Sequence, residues 1–469
     1  MKIARGLWMI NLPAKTNIHI IGIGGIGMSA IAEILLDLGY PVSGSDQSEN
    51  QNTQKLIGRG ATIYKGHQAS NVGEAQVVVH SSAIQQTNPE IQVCLEKNIP
   101  LLRRSEILSD IMRLKSGIAV AGTHGKTTTT SIVSTIFAEC DQDPTFLIGG
   151  IVKNLSGHAR VGKGPWFIAE ADESDGTFLE LTPILSTITN IDFDHLDYYG
   201  SKDNLIEAFE KFANRVPFYG QISLNINDSI SREISGKVKK PLVWYGIRKN
   251  ESQEINYEAQ EISVNDNGSE FKLFFNNEFV GDVQTSLIGD HNVENILAAI
   301  SIAHGSGLAF DRIIPSISKF TGVGRRMQTL LKNDHLTIVD DYGHHPTEVK
   351  ATLKAARNVA EKRKLVAVFQ PHRYSRTKDC WEDFLHCFND VDHLYMLPVY
   401  SAGETELDGI NSRRLVDDIN QLHPKLVTLI EDLNEIEEFK SNDSSLVISL
   451  GAGSIGRMIR EKVEMLNNE

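Results

Sequence analysis

The sequence predicts an α/β protein of three domains, each organised around a parallel sheet. Three stretches alternate short apolar, β-branched runs with helical apolar spacing, the pattern of strands buried on both faces. Glycine motifs stand where one strand of each stretch turns into a helix. The 469 residues are about three times a typical domain. Changes of texture place the boundaries near residues 115 and 326, giving domains of 1–115, 116–326 and 327–469.

The elements follow in order. "IHIIGIG" reads as a buried strand, and "GMSAIAEILLDLGY" as a helix stopped at Gly39. "PVSGSD" carries the next strand, "AQVVVHSSAI" a strand into a loop, and "NPEIQVCLEKN" a helix. The second domain opens with strand "GIAVAG" and helix "KTTTTSIVSTIFAEC", whose Thr, Ile and Val are poor helix formers, so packing must hold it. "WFIAEADE" and "ILSTITNI" are further strands. From about 220 to 288 the sequence alternates like antiparallel hairpins with an Asn-Gly turn, before helix "HNVENILAAISIAHGSG". The third domain runs strand "LTIVDD", helix "TEVKATLKAAR", strand "KLVAVFQ" and a final "SLVISLGAGSIGRMIREKV".

Composition excludes several classes. A net charge of -14 argues against a nucleic-acid or acidic-membrane partner, which needs a broad basic face. No apolar run reaches the length of a membrane span, and the N-terminus lacks a signal-peptide core. Cys94, Cys140, Cys380 and Cys387 fit no zinc spacing and read as reduced thiols. A cytoplasmic enzyme is expected.

Two glycine loops carry the first chemistry. Gly22-x-Gly24-x-x-Gly27 follows a strand and opens a helix, the setting for a nucleotide diphosphate. Asp46 ends the next strand, where a carboxylate often bonds a ribose hydroxyl. "VAGTHGKTTTT" ends like a triphosphate loop, in Gly125-Lys126-Thr127, although Val120 stands where the usual first glycine would. Backbone N–H groups and Lys126 suit the phosphates, and the Thr127 hydroxyl suits Mg²⁺. Gly451-x-Gly453-x-x-Gly456 has the dinucleotide spelling too, but reads as a tight strand-to-helix turn.

Polar clusters follow other strands. "IAEADESDG" gathers Glu170, Asp172, Glu173 and Asp175; "NIDFDHLDYYG" gathers Asp192, Asp194, His195 and Asp197. Beside a triphosphate such groups are Mg²⁺ ligands, directly or through water. "VDDYGHHPTE" brings Asp340, Asp341, Tyr342, His344 and His345 into one loop, and "FQPHRYSRT" brings His372, Arg373 and Arg376. Arginine forks there favour an anionic small molecule over a surface salt-bridge cluster. A nicotinamide-dependent oxidoreductase would explain residues 18–46 but neither the lysine loop nor the arginine loop.

With "GIGGIGMSAIA", "GTHGKTTTT", "EADESDG", "DHLDYYG", "GDHNVENILAA", "GVGRRMQ", "DDYGHHPTE" and "QPHRYSRT" in this order, the chain resembles the Mur ligases, ATP-dependent amide-forming enzymes of peptidoglycan synthesis. The resemblance implies a Rossmann-like UDP-sugar domain, a central P-loop ATPase domain with a parallel sheet plus a small antiparallel sheet, and a Rossmann-like C-terminal domain for the amino acid. It implies ATP, UDP-N-acetylmuramate and L-alanine as substrates, Mg²⁺ as cofactor, and a monomer or homodimer. The alternative within the family is a recycling ligase that adds a murein tripeptide to the same sugar. By the resemblance Lys126, His195 and His344 are catalytic. Gly122, Thr123, Gly125, Lys126, Thr127, Thr128, Asn292, Arg326 and Asp341 bind ATP. Gly24, Gly25, Gly27, Asp46, Ser81 and Ser82 line the UDP-sugar site; Tyr342, His344, Arg373 and Arg376 take the amino acid. Thr127, Glu170 and His195 hold metal. Several relatives carry a carbamylated lysine soon after the "DH" motif; Lys202 and Lys211 are the lysines here, and neither matches clearly. ATP contacted from two domains implies closure, with a hinge expected near residues 324–328.

Overall fold

The computed structural model describes residues 16–81, 84–155, 157–248, 254–265, 268–441 and 443–467. The chain divides into two compact units. The first takes in residues up to 258, with 275–278 and 295–319; the second takes in 259–274, 279–294 and 320–469.

The first unit begins with five parallel strands: β1 (Ile18–Ile21), β2 (Val42–Asp46), β3 (Thr62–Lys65), β4 (Val77–His80) and β5 (Leu101–Arg103), in the order β3-β2-β1-β4-β5. β1 is central and buried at every position, which is why it reads as an unbroken apolar run. A second sheet holds β6 (Ser116–Ala121), β7 (Thr145–Val152), β8 (Gly157–Arg160), β9 (Trp166–Glu170), β10 (Leu185–Ile188), β11 (Gln221–Asn225) and β12 (Leu242–Ile247). Their order is β12-β11-β10-β6-β9-β7-β8, parallel except for edge strand β8 against β7. β6 lies between β10 and β9, so the loops after these three strands open at one carboxyl edge, the usual ligand position in such sheets.

The two sheets and the helices packed on them share one core. Ile20 on β1, with Ile31 and Leu35 on helix Ile26–Asp37, belongs to the same buried cluster as Phe167 on β9, Phe178, and Phe209 and Phe212 on helix Lys202–Ala213. Phe178 stacks on Phe212 at 5.1 Å between ring centres and meets Phe209 edge-on at 5.3 Å. Each such fully buried ring contributes roughly 1.5–3 kcal/mol.

Helix Lys126–Glu139 runs buried from Thr128 to Phe137. Its hydroxyls turn back on the helix: Thr130 donates to the Lys126 carbonyl at 2.8 Å, Ser131 to Thr127 at 2.6 Å, Ser134 to Thr130 at 2.8 Å and Thr135 to Ser131 at 2.9 Å. Four polar groups thereby become burial-tolerant.

Strands β13 (Tyr257–Asn265), β14 (Gly268–Phe275) and β15 (Glu278–Thr285) pair in chain order. Two-residue links require them to be antiparallel. The β14–β15 link is Asn276-Asn277, both at positive φ, a hairpin turn with the favoured twist. The expected Asn-Gly turn begins at Asn267, outside the described residues.

A third sheet, in the second unit, has β16 (Gln328–Lys332), β17 (Leu336–Asp341), β18 (Lys364–Phe369), β19 (His393–Met396), β20 (Val427–Leu429) and β21 (Ser445–Leu450), in the order β16-β17-β21-β18-β19-β20. All neighbours are parallel except β16 with β17. Leu353, Phe369, Phe384 and Phe388 fill one face, and Ile338, Val368, Ile455 and Ile459 the other.

All four cysteines are buried and unbridged. Among the described residues, no helix is long and apolar enough to cross a membrane.

Candidate active site

The first glycine loop is held from below. Asp46 accepts from the Gly24 N–H at 2.9 Å through one oxygen and from the Ser48 N–H at 3.3 Å through the other. Asp46 therefore shapes the loop; a ribose hydroxyl would have to share it. Asn50 and Asn52 donate to the Gly24 carbonyl at 3.2 and 3.0 Å. Ser81 stands beside Gly22, and Gly25 is exposed at the mouth of helix Ile26–Asp37. Arg104 lies over Gly27 and reaches Asp172 at 3.8 Å, a cation between the two loops that sequence reading missed. Ser82 is outside the described residues.

The lysine loop needs glycine at two positions. Gly122 sits at φ 129°, and a Cβ there would come within 2.9 Å of the Thr189 nitrogen and 3.0 Å of the Asn190 carbonyl oxygen. Gly125 sits at φ 82° with the Asn295 side chain packed against it. Asn295 also accepts from Thr129 Oγ1 at 3.2 Å. The loop is braced by the chain after β10. The His124 N–H donates to Asn190 Oδ1 at 2.9 Å, its ring meets Asp192 at 3.0 Å, and Thr123 Oγ1 donates to the Asp192 carbonyl at 3.2 Å.

Lys126 Nζ donates to both oxygens of Glu173 at 2.9 and 2.7 Å, and to the carbonyls of Gly122 and Thr123 at 2.7 and 3.1 Å. Burial opposes its charge, but Glu173, Asp172 and Glu170 outweigh burial and hold the ammonium above its usual range. Glu170 is used differently: it accepts from the Gly149 N–H at 2.6 Å and from Thr127 Oγ1 at 3.2 Å, and burial raises it. Thr127 and Glu170, both expected metal ligands, are thus side by side. His195 follows β10 at the same edge, in a left-handed conformation, with Nε2 3.6 Å from Asp194. Thr128 faces the interior behind the loop.

In the second unit, Asp341 is buried at the end of β17, accepting from the N–H groups of Met327 and Gly343 at 2.7 Å each; burial raises it. Arg326 is 3.7 Å from Glu348. Its guanidinium lies 5.4 Å from the centre of the Tyr342 ring, which Arg325 also covers at 4.8 Å. His344 meets Tyr342 edge-on at 5.5 Å and His372 at 5.6 Å, and His372 stacks on Tyr400. Burial pushes His344 down to about 3, so it is a neutral imidazole at working pH. Arg376 Nη1 lies 3.3 Å from His372, and Arg373 approaches Glu404 at 4.0 Å. Tyr342, His344 and Arg376 are therefore linked through His372, with Arg373 beside them on the same loop. Asn292 points its amide at the Ile288 carbonyl, 2.8 Å away.

The third glycine motif has an internal occupant. Arg325 donates to the Gly451 carbonyl at 2.6 Å, and its guanidinium packs directly on Gly456.

Three family patterns match in order: Mur ligase family, catalytic domain, on residues 17–116; Mur ligase middle domain on 120–303; and Mur ligase, glutamate ligase domain, on 325–453. The UDP-N-acetylmuramate--L-alanine ligase of Endomicrobium trichonymphae is 42% identical over 452 residues, 96% of this chain and 99% of that protein. The chain belongs to the Mur ligase family. Another Mur ligase of the same printed name, from Geotalea uraniireducens (strain Rf4), is 43% identical over 457 residues, covering 96% of this chain and 98% of its own. The crystal structure of UDP-N-acetylmuramate-alanine ligase MurC from Thermotoga maritima superposes with a TM-score of 0.79 at 28% identity, over 96% of this Mur ligase and 99% of that chain. A murein peptide ligase from Psychrobacter arcticus 273-4 shares the fold, with a TM-score of 0.69 at 23% identity over 97% of this chain and 99% of its own.

Proposed function

We propose that this Mur ligase joins L-alanine to the carboxylate of UDP-N-acetylmuramate, with ATP converted to ADP and phosphate. The observation that carries the reading is the lysine loop: a phosphate-binding turn, Lys126 at its helix start, and Thr127 against Glu170.

A carboxylate is a poor acceptor because its leaving group would be oxide. Transfer of the γ-phosphoryl group of ATP to a carboxylate oxygen gives an acyl phosphate. The alanine amine then adds to the carbonyl carbon, loses a proton, and the tetrahedral intermediate expels phosphate as the amide forms. The protein's task is positioning and charge neutralisation. Lys126 takes the transferred phosphoryl group. The N–H groups around Gly122, Thr123 and Gly125 cradle the phosphates, and Thr128 backs the loop. Asn292, Arg326 and Asp341 bind the rest of the nucleotide. Gly24, Gly25, Gly27, Asp46, Ser81 and Ser82 hold the UDP sugar. Tyr342, neutral His344, Arg373 and Arg376 receive alanine, the arginines on its carboxylate. Hydroxyl, carboxylate and imidazole donors from Thr127, Glu170 and His195 suit Mg²⁺, which supplies phosphate charge neutralisation when bound. Residues 1–115, 116–326 and 327–469 are the working parts for sugar, ATP and amino acid.

The test is ADP release with magnesium-ATP and UDP-N-acetylmuramate, with either L-alanine or a murein tripeptide added, and the product weighed. Alanine-dependent ADP and a product heavier by one alanyl residue is expected. Turnover with the tripeptide alone would move the protein to the recycling branch, and none with either would refute the amino-acid assignment.

A further inference from the structure

The Lys126 ammonium has three protons and four acceptors, two of them the oxygens of Glu173. The Glu173 side chain is 1% exposed and that of Lys126 16%. Glu170, the carboxylate assigned to metal, is engaged elsewhere, by Gly149 and Thr127. Glu173 is also fixed from behind. Its carbonyl accepts from the Gly176 N–H at 3.0 Å and from the buried Tyr199 hydroxyl at 2.6 Å. A backbone anchored twice leaves this carboxylate little freedom to follow a displaced ammonium.

We infer that Glu173 is a positioning residue for Lys126: it holds the ammonium at the loop as an internal anion, and a nucleotide phosphate takes the lysine only by exchanging with it. The inference rests on the nucleotide reading of the loop. Phosphate and carboxylate compete for the same donors, both by charge-assisted hydrogen bonds. After exchange Glu173 is a buried carboxylate without its cation, so its presence opposes the exchange and lowers nucleotide affinity.

Calorimetric titration of the full chain with magnesium–ADP, with turnover measured alongside, tests this. Glu173→Gln is expected to bind the nucleotide about tenfold tighter, because its internal competitor is gone, while kcat falls because the lysine is less well placed. A purely structural lesion would weaken binding and lower the melting temperature instead. Unchanged or weaker binding by Glu173→Gln at an unchanged melting temperature would overturn the inference and leave the nucleotide site standing. No binding by wild type would overturn both. If Glu173→Gln does not fold, Glu173→Asp decides: its shorter carboxylate grips the ammonium less, so tighter nucleotide binding supports the inference and unchanged or weaker binding refutes it.

Discussion

Replacing Lys126 with methionine removes a phosphate contact and strands a buried carboxylate. Turnover should fall by at least about 10²–10³, and stability by about 3–5 kcal/mol, the usual result of breaking one side of a buried pair. Pairing that change with Glu173→Gln should recover much of the stability and none of the activity, as denaturant melts and ADP release would read. At Gly122 an added methyl meets backbone on two sides at a φ unsuited to side chains, so Gly122→Ala should cost about 1–3 kcal/mol as well as nucleotide binding. His344 supplies a pH signature. Its folded value near 3 lies below the ordinary 6.5, so the unfolded chain takes a proton first. That part of the stability is whole above pH 6.5 and is lost as pH falls toward 3; His344→Gln should flatten the loss. Lys126, Thr127 and Glu170 were legible because a strand, a glycine turn and a helix start announce them. Glu173 stood out only as one carboxylate of a Mg²⁺-ligand cluster, not as the partner of Lys126, and the contacts of Asn295, Arg104 and Arg325 did not show. Which of several neighbouring polar side chains faces a loop is decided by packing from distant segments.

Apolar runs made the inner strands readable, since β1, β6, β17, β18 and β21 are buried on both faces. The edges β3, β8 and β16 carry mixed polarity and left no comparable trace. The threonine-rich helix after the lysine loop tests whether packing or propensity holds an element. Ser134→Ala removes a hydroxyl that serves only its own turn and adds a better helix former, so stability should stay within about 1 kcal/mol. Ile136→Ala opens a cavity beside the same buried helix and should cost about 2–5 kcal/mol. The final glycine turn shows how spelling misleads. It has the dinucleotide pattern, yet Arg325 fills the space with a guanidinium from its own chain.

Across the whole molecule, three sheets appear where the alternation of strands and helices predicted them, while the common core of the first two was invisible in a linear reading. A hinge near 324–328 has a local framework to work against: the Tyr342 N–H bonds the Arg325 carbonyl at 2.8 Å, the Met327 N–H bonds Asp341, and Arg325 bonds the Gly451 carbonyl, all within the second unit. If ATP is contacted from two domains, X-ray scattering with both ATP and UDP-sugar should show compaction; unchanged curves would count against closure. The buried, unbridged cysteines bear on how such motion can be watched. A chain whose native thiols are all shielded is a low-background template for spectroscopic labels. Cysteines introduced on the surface, one per unit, would take spin labels or fluorophores selectively, and the distance between them could be followed through a catalytic cycle without dismantling either core.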